Sequence, residues 1–283
     1  VILEMIDREQ LMRFIREDAP YGDLTSELLL DPSVSCRGAI CVKETGIIAG
    51  IEEAEEIFRL LGVRVNSRAR DGELVVKGSI LLELEGPARG VLLGERTALN
   101  ILGRMSGIAT KTQKIAEKVR EKNSSCRIAC TRKTAPGLRM MDKKAVALGG
   151  GGRHRFGLSD AILIKDNHLS LIPIEEAVSR AKKGSMYHRI EVEVRDQDQA
   201  ERAADAGADI IMLDNMTPED AAAAVMAIRG RPGGDTLVIE VSGGICETNA
   251  VLYAIPGVDV ISMGCLTHSV TNLDVSLDFV PVG

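Results

Sequence analysis

The sequence predicts an α/β protein: an N-terminal α+β portion followed by repeated strand–helix units that form a barrel of the TIM type. Three observations carry this. Short alternating apolar segments dominate the first ninety residues, with few helices between them. From about Arg127 onward, short apolar runs alternate with helical stretches, which is the rhythm of a parallel sheet. Nearly every one of those runs ends in polar residues of catalytic type.

In order along the chain, Asp7 caps a helix with Leu11, Phe14 and Ile15 on its apolar face, ending near Asp18-Ala-Pro20. A turn-like Tyr21-Gly-Asp-Leu-Thr25 follows, then candidate strands at Cys36–Lys43, Leu74–Lys77 and Ile80–Glu85. Glu52–Leu61 reads as a helix stopped by Gly62. A long helix starts near Ala88 and runs through Arg96, Leu99, Leu102 and Met105 towards Lys122. The later strands are Arg127–Cys130, Ala161–Ile164, Ile190–Val194, Asp209–Leu213, Leu237–Val241 and Asp259–Met263. Thr217 and Pro218 supply the N-cap and first position of one intervening helix. A doubly wound open sheet is the alternative. It would gather the polar residues at one switch point, whereas here they follow strand after strand, which favours the barrel.

Composition narrows the function. Aromatic residues make up only 2% of the chain and Trp is absent, which removes base-stacking platforms for nucleic acid. A net charge of -6 speaks against a general polyanion binder. No apolar run is long enough to span a bilayer and no secretory segment is evident, so the expected compartment is the cytoplasm, with no membrane or nucleic-acid partner. The six cysteines, at 36, 41, 126, 130, 246 and 265, form no CxxC pair and read as buried free thiols.

Against that acidic background, the stretch from Thr131 to Lys165 holds eight Lys/Arg residues (132, 133, 139, 143, 144, 153, 155 and 165) and two acids. The excess suggests a concave site for a small, highly charged anion. Lys143 and Lys144 fall where a helix should expose them to solvent. Arg132-Lys133 and Arg153-His154-Arg155 instead flank a strand end and the glycine run 149–152. Paired arginine forks suit carboxylates and phosphates. The glycine run implies a close pass of the chain by a ligand or a neighbouring backbone. Ser242-Gly243-Gly244 and Gly264, after late strands, suit phosphate binding through backbone N–H groups. Glu193 and Asp214, at strand ends, can hold ribose hydroxyls, ligate Mg²⁺ or stabilise positive charge at an anomeric carbon. Asp166 and Asn167 serve equally well as turn residues.

These blocks, taken in order, resemble the quinolinate phosphoribosyltransferase family. Thr131-Arg-Lys-Thr-Ala-Pro-Gly-Leu-Arg139, Gly149–Arg155 and Ile164-Lys-Asp-Asn-His168 look like its signatures. Gly22-Asp-Leu-Thr25, Gly94-Glu-Arg-Thr97, Ser106-Gly-Ile-Ala109, Leu213-Asp-Asn215, Ser242-Gly-Gly-Ile245 and Leu266-Thr-His-Ser269 extend the likeness over nearly the whole chain. The resemblance implies an N-terminal α/β sandwich (residues 1–108, completed by 272–283) and an open barrel of about seven strands (109–271). It implies a homodimer or higher oligomer with shared sites, in which Arg96 reaches the partner's pocket. Arg132, His154 and Arg155 would bind quinolinate, and Lys133 and Lys165 would stand between it and the pyrophosphate of 5-phosphoribosyl-1-pyrophosphate. Glu193 and Asp214 would face ribose and Mg²⁺, and Ser242, Gly243 and Gly264 would lie near phosphate. No organic cofactor is implied. Lys133, Lys165, Glu193 and Asp214 would be the catalytic residues. Two positions depart from the family pattern, Arg153 and Arg195; each either alters pocket charge or faces outward. A nicotinate-specific phosphoribosyltransferase, a molybdate-associated paralogue and a non-catalytic anion sensor are the competing readings.

Overall fold

A computed structural model describes residues 6–280, and the chain divides into two compact units. Of the described residues, the first comprises 6–113, 140–150 and 270–280; the second comprises 114–139 and 151–269.

The first unit begins with α1 (Arg8–Asp18), capped as expected by Asp7, whose carboxylate accepts the Gln10 N–H, and burying Leu11 and Ile15. The segment read as a turn continues instead into α2 (Leu24–Leu29). Asp23 is its N-cap, taking the Ser26 N–H, and it offers the chain a helix start that apolar periodicity alone does not reveal over six residues. Next come β1 (Ser35–Val42), β2 (Gly46–Ile47), α3 (Ile51–Leu60), β3 (Arg64–Ser67), β4 (Leu74–Val75) and β5 (Ile80–Pro87). An antiparallel sheet has the order β12-β1-β5-β3, where β12 is the C-terminal strand Val275–Val280; β2 and β4 pair separately. On β1 burial alternates along the strand, so one face carries the apolar core. α3 packs on the sheet and α1 on α3.

The long helix α4 (Ala88–Lys122) spans 35 residues, those up to 113 belonging to the first unit. Helix α5 (Arg139–Leu148) also joins this unit from residue 140. Its lysines correct the expectation of a solvated face. Lys143 is fully buried, and Lys144 is enclosed by Glu52, Glu53 and Asp71 at 2.7, 2.9 and 3.0 Å. One turn of helix places Asp142, also fully buried, against Arg104 in a two-pronged ion pair at 2.8 and 2.9 Å. Charge partners, invisible in a local window, decide which face of α5 turns inward. Gly149 then passes so close to α4 that a Cβ there would lie 2.3 Å from the Ala109 carbonyl oxygen. Of the two readings of the glycine run, close approach to a backbone is the one this glycine satisfies.

The second unit holds six parallel strands: β6 (Arg127–Ala129), β7 (Ile162–Ile164), β8 (Ile190–Val194), β9 (Ile210–Asp214), β10 (Val238–Ser242) and β11 (Val260–Ser262). All six candidate strands are present: Ile190–Val194 matches to the residue, and the other five differ by one residue at one or both ends. Between them lie α6 (Asp166–Leu169), α7 (Ile174–Gly184), α8 (Gln197–Ala206), α9 (Pro218–Arg229) and, last, α10 (Cys265–His268). Thr217 caps α9 with Pro218 at its first turn. The order β6-β11-β10-β9-β8-β7 is that of a barrel in which the first strand has closed on the last. The β6–β7 seam stays open, and a single bridge from Ala129 to Gly152 occupies the edge of β6. About seven strands were expected; the described residues form six and this bridge.

Candidate active site

The C-terminal ends of all six barrel strands, with the short segments that follow them, line one cavity of about 470 Å³. Thr131, Arg132 and Lys133 follow β6, Lys165 follows β7, and Glu193 lies on β8. Asp214 ends β9 with Asn215 after it, Ser242, Gly243 and Gly244 come from β10, and Ser262 ends β11. His154 and Arg155 enter from the segment after the glycine run. Strand alternation accounts for the inward set: on β8, Glu191 and Glu193 share one face while Ile190, Val192 and Val194 take the other.

Cations outnumber acids here. Arg132, Lys133, Arg155 and Lys165 line the cavity against Glu193 and Asp214. Burial, and then the adjacent Arg132 charge, press the Arg155 guanidinium below its usual pKa, so the pair is short of counter-charge. The buried Arg132 Nε has no hydrogen-bond partner. A buried donor left bare costs on the order of 1–3 kcal/mol, a penalty that an anion in the cavity would remove.

Lys165 Nζ contacts Glu193 Oε2 at 2.6 Å. Its backbone N–H is held by His168 Nδ1 at 2.9 Å, which fixes the start of α6. Lys133 is braced by two groups: Thr267 Oγ1 donates to its carbonyl at 2.9 Å, and a Cβ at Gly264 would stand 2.9 Å from its Cδ. Gly264 therefore adjoins the cavity by supporting Lys133 and does not line it. Gly243 has φ +94, and a Cβ there would lie 2.4 Å from Asn215 Oδ1, so only glycine fits this turn. Asn215, itself left-handed at φ +57, donates to Asp214 Oδ2 at 2.6 Å and through its backbone to Ser242 O at 2.9 Å. Asn is among the residues that tolerate this conformation.

Below the cavity, Glu191 and Glu240 face His154 Nε2 at 3.5 and 3.2 Å. Burial works against a charged ring, but the two carboxylates outweigh it and hold the imidazole pKa up to about 10. Burial pushes the Glu191 carboxyl up. The Arg155 N–H directed at Nδ1, at 2.7 Å, opposes a second ring proton. Nε2, facing both carboxylates, is the nitrogen that keeps its proton. The sequence reading missed these two glutamates. Ile-Glu-Val-Glu-Val and Val-Ile-Glu-Val-Ser each carry an acid two residues before the one chosen, on the same strand face.

The remaining candidates separate. Arg96 belongs to the first unit, is 64% exposed and has Glu95 at 4.0 Å; it is not among the residues lining the cavity. Arg195 points outward, paired with Asp166, and Arg153 does not line the cavity. Asp166 acts as the first residue of α6, a structural part. The thiols correct the expectation of uniform burial: Cys36, Cys126, Cys130 and Cys265 are buried, while Cys41 and Cys246 are partly exposed. No described helix is long and apolar enough to cross a membrane.

Fold and cavity together define an α/β-barrel protein with a cation-rich cavity at the strand C-termini, fused to an antiparallel α/β unit. Residues 23–106 match the model of the quinolinate phosphoribosyl transferase N-terminal domain and 108–278 that of the C-terminal domain. The chain belongs to the quinolinate phosphoribosyl transferase family. It is 43% identical over 270 residues to the protein designated probable nicotinate-nucleotide pyrophosphorylase (carboxylating) of Methanothermobacter thermautotrophicus, covering 95% of this chain and 97% of that one. The nicotinate-nucleotide pyrophosphorylase (carboxylating) of Mycobacterium leprae is 38% identical over 277 residues, with 96% of both covered. The solved nicotinate-nucleotide pyrophosphorylase of Francisella tularensis superposes with a TM-score of 0.88 at 35% identity, covering 98% of each chain.

Proposed function

We propose that the chain transfers the phosphoribosyl group of 5-phosphoribosyl-1-pyrophosphate to quinolinate and releases CO₂, giving nicotinate mononucleotide and pyrophosphate for NAD biosynthesis. The observation that carries this is the meeting of Arg132 and Arg155 with Lys133, Lys165, Glu193 and Asp214 at one barrel mouth. A dicarboxylate and a pyrophosphate need two cationic regions, and a ribose needs polar oxygens between them.

Arg132 and Arg155 bind the quinolinate carboxylates, with His154 beside them. Lys133 and Lys165 hold the pyrophosphate, and the Ser242–Gly244 turn offers backbone N–H groups to the ribose phosphate, with Gly264 setting the position of Lys133. Departure of pyrophosphate leaves oxocarbenium-like charge at C1 of the ribose, which the quinolinate ring nitrogen attacks. Glu193 and Asp214 lie where negative charge lowers the energy of that state. The ribosylated nitrogen then accepts the electron pair freed as the adjacent carboxylate departs as CO₂. The chain's contribution is orientation and electrostatics, with no base acting on the pyridine nitrogen.

Glu193 and Asp214 come from adjacent strands and present hard oxygen donors to one cavity, a set that fits Mg²⁺, which commonly takes one or two carboxylates beside substrate phosphates. Bound there, Mg²⁺ would neutralise charge on the donor's pyrophosphate. Arg96, exposed on the first unit, reaches the cavity of a second copy, so the working assembly is a homodimer or a multiple of it, acting in the cytoplasm.

One assay tests the reading: protein, Mg²⁺ and the pyrophosphorylated ribose with either quinolinate or nicotinate, following CO₂ and mononucleotide. Mononucleotide with equimolar CO₂ from quinolinate alone is expected. Mononucleotide from nicotinate without CO₂, or binding with no product, would replace the proposal.

A further inference from the structure

Deeper in the barrel than the cavity's cations lie two carboxylates that the reaction as described does not use. Glu191 on β8 and Glu240 on β10 are 3% and 4% exposed, and the Oε1 of each lacks a hydrogen bond of ordinary geometry. Both oxygens converge on one atom, His154 Nε2, at 3.5 and 3.2 Å. The second ring nitrogen, Nδ1, is also taken, accepting the Arg155 backbone N–H at 2.7 Å. His154 itself sits in the left-handed region at φ +48. A non-glycine residue stays there only when its surroundings hold it, at a cost of about 1–3 kcal/mol.

We infer that Glu191 and Glu240 are positioning residues: a buried carboxylate pair that clamps His154 through Nε2 and, through Nδ1, fixes the backbone at Arg155 and the aim of its guanidinium. Because His154 spends both ring nitrogens on the protein, it acts on the substrate through Arg155. The three groups would also satisfy the spacing of a divalent-cation site, since their ligand atoms lie within 4.8 Å of one another. The Arg155 N–H rules in favour of a proton instead. A metal on Nε2, with Nδ1 accepting the Arg155 N–H, would require both ring nitrogens to be bare, whereas the ring, charged or neutral, carries at least one proton. That proton lies on Nε2, between carboxylates that would otherwise be stranded without compensation. Glu191 also acts favourably on the Arg155 charge, opposing the repulsion from Arg132. The clamp thus sets both the direction and the charge balance of the carboxylate-binding pair, and its catalytic meaning rests on the function proposed above.

The test uses the full chain carrying Glu191→Gln, Glu240→Gln or both, each nearly isosteric, together with His154→Gln, which keeps a donor facing the carboxylates. With quinolinate and the ribose donor, each glutamate variant is expected to raise KM for quinolinate roughly ten-fold or more, since a 1 Å misplacement of an orienting group can cost up to about 10²-fold. KM for the donor is expected to stay within about two-fold, because its binding groups are untouched. His154→Gln is expected to fall between wild type and the double variant. Folded variants with unchanged quinolinate KM, or both KM values rising together, overturn the clamp and leave the pair a purely structural element. Should wild-type protein turn over no quinolinate, the function proposed above fails, and the clamp is judged on the crystal structure of the double variant. A guanidinium of Arg155 displaced by about 1 Å or more supports it; an unmoved one overturns it.

Discussion

Lys165 Nζ and Glu193 Oε2 stand 2.6 Å apart, bridging the ends of β7 and β8, with Glu193 buried and Lys165 reaching into the cavity. The carboxylate holds the ammonium over the site without enclosing it, since 41% of the lysine side chain remains exposed. Lys165→Ala should therefore lower kcat severely, by roughly 10²-fold or more, with little loss of stability, because a partly exposed pair contributes only about 0–1 kcal/mol to folding. Steady-state kinetics beside a melting curve separates the two; a stable variant with near-wild-type kcat would remove the assigned role.

Arg132 and Arg155 should differ from the lysines in which constant they change. Arg155→Lys keeps the charge but loses the fork, so quinolinate KM should rise by about ten-fold or more while donor KM is unaffected. Titration of initial rates in each substrate checks this. Equal effects on both substrates would place Arg155 with the pyrophosphate instead.

Chelation addresses Glu193 and Asp214. Removing divalent cations with EDTA should abolish turnover, and Mg²⁺ should restore it, while the circular-dichroism melt is unchanged, because an ion on these two carboxylates would sit in the cavity at the strand ends, outside the apolar core. Full activity in chelator would displace these two residues from the metal role.

Gly243→Ala introduces a Cβ 2.4 Å from Asn215 Oδ1 at φ +94. The Ser242–Gly244 turn must then shift, and the strain is on the order of 1–3 kcal/mol. Donor KM should increase more than quinolinate KM; the reverse order would move the phosphate site away from this turn.

Thiol chemistry gives a structural check independent of activity. Cys126 is held by burial up to about 12, and Cys36, Cys130 and Cys265 are also buried. In native protein, a charged alkylating reagent should modify Cys41 and Cys246 promptly and the other four only after unfolding, as read by mass spectrometry.

Much of this was legible in the residues. The six barrel strands announce themselves as apolar runs, and many of the cavity's polar groups follow because four of the runs end in Thr-Arg-Lys, Lys-Asp-Asn, Asp-Asn or Ser-Gly-Gly. What stayed hidden depends on partners distant in sequence. Lys144 looks solvent-facing until Glu52, Glu53 and Asp71 are brought to it from far earlier in the chain. Glu240 looks like one acid among many until β10 lies beside β9 and His154 arrives from outside the sheet. Helix α2 is too short for periodicity to show, and its start is encoded only in the Asp23 cap. Arg153 and Arg195 left two readings open, altered pocket charge or an outward-facing side chain, and neither residue lines the cavity.

The open seam of the barrel has a further consequence. Gly152 donates to Ile128 O at 2.7 Å and accepts from Cys130 N–H at 3.0 Å, so the chain runs along the free edge of β6 for one residue and then turns inward. A complete strand there would have given alternate side chains to the interior and the remainder to the helix layer. By stopping after a single rung, the fold sends consecutive residues, His154 and Arg155, to the same cavity. The missing strand is thus a doorway: it lets a loop bring two neighbouring side chains, one that binds and one that braces it, to a single cavity in a place where pleated geometry would have separated them.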